Sequence, residues 1–164
     1  MLIFKPFSFG KPGLIYGILC KCYDSFFEDY PSYEEEWKTG WREYDARIFE
    51  NPETIGSAGF LTVFRDHIIG FASYDPRDLP QKVLIGHNCI LPAFRGNGFG
   101  KKQVNEILRI MREKDCTTIE VVTGEHPFFE PAFRMYTSCG FTEEKRWIDT
   151  SLPTFQLIKL TRKM

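Results

Sequence analysis

A chain of 164 residues and 19.2 kDa, 43% apolar, 16% aromatic and 26% charged, has the length of one domain and can bury about 70% of its unfolded surface. That composition excludes a disordered chain. Lys plus Arg (21) balances Asp plus Glu (22), which argues against wholesale nucleic-acid binding, and no apolar run approaches the roughly 20 residues of a membrane span.

Residues 2–9 (Leu2, Ile3, Phe4, Phe7) read as an opening strand. Leu14, Ile15, Ile18, Leu19, Cys22, Tyr23 and Phe26 then repeat at helical spacing, entered through Pro12-Gly13. Met1 to Phe27 is apolar enough to resemble a leader. However, Pro6, Gly10, Pro12 and Gly13 interrupt it, and Lys21 and Asp24 stand in its core, so it is expected to belong to the mature protein. A second helix follows Pro31, with Ser32 and Glu35 spaced as a capping box. Its stripe is Tyr33, Trp37, Trp41, Tyr44 and Ile48, and Asn51-Pro52 ends it.

Two β-rich stretches, 57–65 and 67–74, meet at the polar Arg65-Asp66-His67 corner and suggest a hairpin. The loop 75–80 precedes a third stretch, 83–91. After a glycine cluster comes a helix with the inner stripe Val104, Ile107, Leu108 and Met111. Residues 117–122 read as a strand, and 131–139 as a helix stopped by Gly140 at C′. Strands 141–148 and 155–160 close the chain. The fold class is α/β with a mixed sheet, in the order β-α-α-β-β-β-α-β-α-β-β. Residues 83–122 form a βαβ-like unit, so that part of the sheet is expected to be parallel. No repeat or linker divides residues 1–164.

The five cysteines, Cys20, Cys22, Cys89, Cys116 and Cys139, are odd in number and scattered. The Cys20-x-Cys22 pair has no second pair to complete a zinc site. Reduced thiols in a cytoplasmic protein are expected, with no metal.

Residues 90–102 carry the chemistry. Gly96, Gly98 and Gly100 alternate between a strand and a helix, where backbone N–H groups can converge on an anion at the positive end of the helix dipole. An ordinary βα turn is the plainer reading, but it rarely needs three alternating glycines. A P-loop does not fit, because Arg95 and Lys102 stand where Gly and Ser/Thr are required. A dinucleotide fingerprint fails at Lys101 or Gln103. A generic phosphate-binding α/β domain stays open at this point. Residues 95–114 hold an excess of four positive charges, suited to a polyphosphate cofactor.

Arg95-Gly96-Asn97-Gly98-Phe99-Gly100 does match R-x-x-G-x-G, with Ile90-Leu91-Pro92 upstream in the place of V-x-P. Downstream, Ala132-Phe133-Arg134-Met135-Tyr136-Thr137-Ser138-Cys139-Gly140-Phe141 matches A-x-x-x-Y-x-x-x-G-F. In these motifs and in its element order the chain resembles the GCN5-related N-acetyltransferase (GNAT) superfamily along nearly its whole length. The resemblance implies an acyl-CoA N-acyltransferase fold in a single domain, 1–164. The implied activity is direct transfer of an acetyl group from acetyl-CoA to a small-molecule amine or a protein amino group. A non-catalytic acyl-CoA-binding sensor or subunit is the alternative. Neither nucleic acid nor membrane is an expected partner, and a homodimer is compatible with the family.

Carried over from the family, Arg95, Gly96, Asn97, Gly98, Phe99, Gly100 and Lys101 hold the diphosphate. The backbone of Ile90 holds pantetheine, and the Asn88 N–H lies near the acetyl oxygen. Tyr136 is the implied general acid toward the CoA sulfur, since a phenol near pKa 10 is protonated at neutral pH. It also reads as a core aromatic sharing a helix face with Ala132 and Phe133. Ile119-Glu120-Val121 resembles the Leu-Glu-Val of relatives that use this glutamate as base, and a solvent-facing strand carboxylate is the competing reading. His87 is the second candidate base and Glu125-His126 the third. Phe129 departs from the family, standing where many members have asparagine.

The first two helices wall the acceptor site in this family. Residues 24–50 carry a net charge of −6, which would favour a cationic amine. Glu34, Glu35 and Glu36 would equally suit a helix's first turn.

Overall fold

Strands and helices follow one another as β1 (Leu2–Lys5), α1 (Leu14–Asp29), α2 (Glu34–Glu50), β2 (Gly59–Phe64), β3 (His67–Asp75), β4 (Lys82–Ile90), α3 (Phe99–Glu113), β5 (Thr118–Gly124), α4 (Glu130–Ser138), β6 (Thr142–Trp147) and β7 (Leu157–Lys163). This is the order the sequence predicts. The structure, a computed structural model, describes residues 1–151 and 155–164. The sheet has the strand order β1-β2-β3-β4-β5-β7-β6. Two compact units share the chain: residues 1–73 with 87–99, and residues 74–86 with 100–164.

In the first unit, β1, β2 and β3 pair antiparallel. The predicted hairpin turns on two residues, Arg65 (φ 48°) and Asp66 (φ 65°). Positive φ at both central positions matches the right-handed twist of the flanking strands. The opening strand is shorter than expected. It stops at Lys5, since Pro6 has no N–H for the ladder, and a 3-10 turn takes Phe7–Phe9.

Helices α1 and α2 join through aromatic side chains: Phe26 stacks on Trp37 at 5.0 Å, and Tyr23, Phe27 and Trp41 close around them. The capping box at Ser32 does not form. Ser32 falls inside a 3-10 turn, Pro31–Tyr33, and α2 starts one residue later, with Tyr33 in the cap position. The cap that matters is tertiary. Asp45 of α2, 5% exposed, accepts N–H bonds from Gly13 (2.7 Å) and Tyr16 (3.0 Å), the first turn of α1. It satisfies two of the donors that every helix N-terminus leaves over.

In the second unit, β4 pairs parallel with β5 from Lys82–Thr118 to Ile85–Val121, as the βαβ pattern predicts. β5 and β6 each pair antiparallel with β7. Alternation along β5 buries Ile119, Val121 and Thr123, while Glu120 and Val122 take the more accessible face. The predicted stripe of α3 (Val104, Ile107, Leu108, Met111) is wholly buried. Gly140 follows α4 at φ 86°, the left-handed C′ position. The edge strand β6 exposes Glu143, Glu144, Lys145 and Arg146, a charged row that discourages edge-to-edge pairing. Among the described residues, no helix is long and apolar enough to cross a membrane.

Candidate active site

The end of β4 and the glycine turn lie in the first unit up to Phe99. Gly96 (φ 78°) and Gly98 (φ 75°) occupy the left-handed region, and a Cβ on either would meet nothing within 4 Å. Backbone conformation, not crowding, selects glycine at both positions. Asn97 staples the turn from inside: its Nδ2 donates to the carbonyls of Phe94 (3.1 Å) and Arg95 (3.2 Å). On the far side Phe99 is buried with Ile69 and Ile90, its ring 4.9 Å from Phe64. The tip, Gly96-Asn97-Gly98, stays exposed.

Arg95 does more than flank the turn. Its Nε donates to the carbonyl of Ile90 (3.0 Å) and its Nη2 to the carbonyl of Cys22 on α1 (3.0 Å). The Cys22 thiol also donates to the Ile90 carbonyl (3.4 Å). The Cys22 thiol is held low by its bond with Cys89 and by the Arg95 charge, whereas that same bond and burial push Cys89 well up. Two expected cofactor contacts, Arg95 and the Ile90 backbone, are thus bonded to each other. Asn88 is half-buried on β4, next to His87. The His87 N–H donates to Ser73 Oγ (3.0 Å), and its ring sits 5.3 Å from Tyr44 and 5.6 Å from Phe71. Burial pulls its pKa down to about 4.

The remaining candidates lie in the second unit. Gly100 opens α3, and a Cβ there would come within 2.9 Å of Met135 Sδ on α4. Lys101 follows it, exposed, in the first turn. Tyr136, one residue beyond Met135, is 5% exposed, with its ring edge-on to Phe141 at 5.5 Å. This packing is that of a core aromatic.

Glu120 stands opposite Leu84 in the parallel ladder. Its carboxylate pairs with Lys159 (3.0 Å) and Lys82 (3.8 Å), and the side chains of Glu120 and Lys159 are only 14% and 18% exposed. The Glu120 hydrogen bond raises the pKa of Lys159. Glu120 borders a groove of about 830 Å³, whose lining does not include Tyr136. His126, from the third candidate pair, accepts the Phe128 N–H at Nδ1 (3.0 Å), so its neutral ring carries its proton on Nε2. Phe129, at the family's asparagine position, packs among His126, Phe128 and Phe155. Among the described residues, no group of three His, Cys, Asp or Glu side chains could hold a metal ion.

The chain matches the Acetyltransferase (GNAT) family over residues 16–141 and belongs to that family. A protein from Desulfovibrio desulfuricans assigned to the GNAT family has the same fold, at TM-score 0.76 and 15% identity over 99% of both chains. An aminoglycoside 6'-acetyltransferase type Ii superposes at TM-score 0.72 and 17% identity, over 98% of this chain and 96% of that one. A GNAT acetyltransferase from Elizabethkingia anophelis, solved with acetyl-CoA bound, superposes at 0.64 and 14% identity, over 99% and 98%. No curated protein matches the sequence significantly.

Three features of the site were hidden from sequence reasoning: Arg95 reaching to α1, Lys159 against Glu120, and Asp45 turned inward beneath α1. Each joins residues at least 29 positions apart, and none has a local signal.

Proposed function

We propose that this protein is an acetyl-CoA-dependent N-acetyltransferase, acting as one domain over residues 1–164 and delivering the acetyl group directly to a primary amine. The observation that carries the reading is the exposed turn Gly96-Asn97-Gly98, with two left-handed glycines, bonded down at Arg95 and packed down at Phe99, just before α3. Such a turn suits a diphosphate, which needs backbone donors and no Cβ in the way. The chemistry of the neighbouring donors fits as well, with Lys101 and Lys102 exposed on the first turn of α3. On this reading Arg95 to Lys101 hold the diphosphate, Ile90 the pantetheine arm, and the Asn88 N–H faces the negative charge that develops on the acetyl oxygen.

Bound acetyl-CoA supplies an activated acetyl thioester. The amine nitrogen attacks its carbonyl carbon, the carbon–sulfur bond breaks, and one proton must leave the nitrogen while another reaches the sulfur. Tyr136 donates the second. Glu120 accepts the first, directly or through water. Lys82 and Lys159 pair with the Glu120 carboxylate, and their like charge disfavours a further ammonium beside them, which favours the neutral amine that can attack. His87, with its N–H on Ser73 and its ring between Tyr44 and Phe71, is the second candidate base.

The test is thiol release from acetyl-CoA with a panel of amines, run alongside calorimetry with CoA. CoA binding with amine-dependent thiol release supports the proposal, and a loss of turnover in Glu120→Gln assigns the base. CoA binding without transfer to any amine would instead define an acyl-CoA-binding module. Folded protein giving no heat with CoA would refute both.

A further inference from the structure

The groove beside Glu120 has a second charged end. Its floor is the accessible face of β5 and β7, and its wall is the loop between β3 and β4. That wall is fixed: Thr117 N–H donates to the Pro80 carbonyl (3.0 Å), and Thr117 Oγ1 to the Gln81 carbonyl (2.5 Å). At one end, Glu120 and Glu144 share Lys159, at 3.0 and 3.5 Å. Lys82 is divided between Asp78 and Glu120, 3.8 Å from each. Arg77 is taken by Asp75.

Lys163 differs. It lies opposite Thr118 in the β5–β7 ladder, and its ammonium donates to Thr118 Oγ1 (3.1 Å), a neutral partner. Among the described residues, no carboxylate neutralises it. The groove therefore offers a partly buried carboxylate at Glu120 and an uncompensated ammonium at Lys163. Thr118 and Glu120 are two residues apart on one strand face, roughly 6–7 Å.

We propose that this groove takes an acceptor bearing an anionic group several bonds from its amine, with Lys163 as the residue that selects for the anion. The inference rests on the acetyltransferase reading above and names its substrate class. It differs from the cationic amine that the charge of residues 24–50 favours. One of the carboxylates in that segment is not available to a ligand: Asp45 is buried as the cap of α1. A dication in the groove would place its second charge against Lys163. An amino acid or amino phosphate of matching length would place an anion there.

Three probes with a common amine separate these cases: δ-aminovalerate, aminopropyl phosphate and cadaverine. Acetyl transfer is measured as kcat/KM, and binding to the CoA-free protein is followed separately by NMR. The two anionic probes are expected to exceed cadaverine by about fivefold or more, the scale of one partly exposed charge contact. Lys163→Gln should erase the preference and Lys163→Glu invert it, with thermal melting confirming that each variant is folded. Preference for δ-aminovalerate identifies a carboxylate as the anion, and preference for aminopropyl phosphate a phosphate. Transfer that favours cadaverine, or ignores both substitutions, overturns the inference while the transferase reading stands. Charge-selective binding without transfer to any probe shows that the groove does not present an acceptor amine, and overturns the inference. If no probe binds and none is acetylated, the inference is overturned.

Discussion

The guanidinium of Arg95 donates to the carbonyl of Cys22, 73 residues earlier, at 3.0 Å, while its Nε holds the carbonyl of Ile90. The side chain that opens the glycine motif thus ties the turn to α1 and to the end of β4. Arg95→Lys keeps the charge but loses the planar fork that serves two carbonyls. It should lower stability by about 1–3 kcal/mol, through weakened charge-assisted hydrogen bonds. Urea denaturation measures that loss. An unchanged urea midpoint would show that the two hydrogen bonds contribute nothing to stability.

Asp45 reaches the first turn of α1 from α2, accepting N–H bonds from both Gly13 and Tyr16. Asp45→Ala leaves two donors without their acceptor at a buried position and should cost about 2–4 kcal/mol. In a chain of this size that is a fall in Tm of roughly 5–15 °C. Asp45→Asn retains one acceptor oxygen and should lose about half as much. Equal melting temperatures for Asp45→Ala and the parent would show that the cap contributes nothing.

Tyr136 is buried against Phe141, so removing its hydroxyl leaves the ring packing in place. Tyr136→Phe should reduce kcat by about 100-fold or more, the usual scale for a positioned acid. The KM for acetyl-CoA should stay within about threefold, because the hydroxyl acts on the departing sulfur only as charge develops. An aryl thioester, whose thiolate needs no proton, should recover most of the rate. Equal losses with both thioesters would leave Tyr136 a structural aromatic.

His87 has a folded-state pKa of about 4, below its ordinary value near 6.5, because burial disfavours its charged form. Between these two values the unfolded chain binds a proton that the folded chain refuses. Stability therefore rises with pH across that window: it is fully present above about pH 6.5 and lost as pH falls toward 4, by about 2–3 kcal/mol in all. Urea midpoints at pH 7, 6 and 5 measure the slope, and His87→Phe, still packed against Tyr44 and Phe71, should flatten it. An unchanged slope in that variant would assign the acid sensitivity to other groups.

The stripe of α3, the alternation along β5, the glycines of the turn before α3 and Gly140 were all legible before any coordinates. Each is a statement about neighbours in sequence: a helix repeats every three to four residues, a strand every two, and a left-handed φ calls for glycine where it occurs. The capping box at Ser32 misled because a 3-10 turn entered by Pro31 absorbed it. The acidity of residues 24–50 can be counted in the sequence, but the count does not show that Asp45 turns inward.

By itself, then, the sequence determined the order of elements, the family and the glycine turn before α3, since these depend on local periodicity and backbone conformation. Only the tertiary structure decided that Arg95 reaches Cys22, that Glu120 is flanked by Lys82 and Lys159, and that Lys163 donates to Thr118. The physical reason is range. A charged side chain takes its properties from whatever lies within a few ångströms, and in this fold those partners come from strands and helices 29 to 73 residues away.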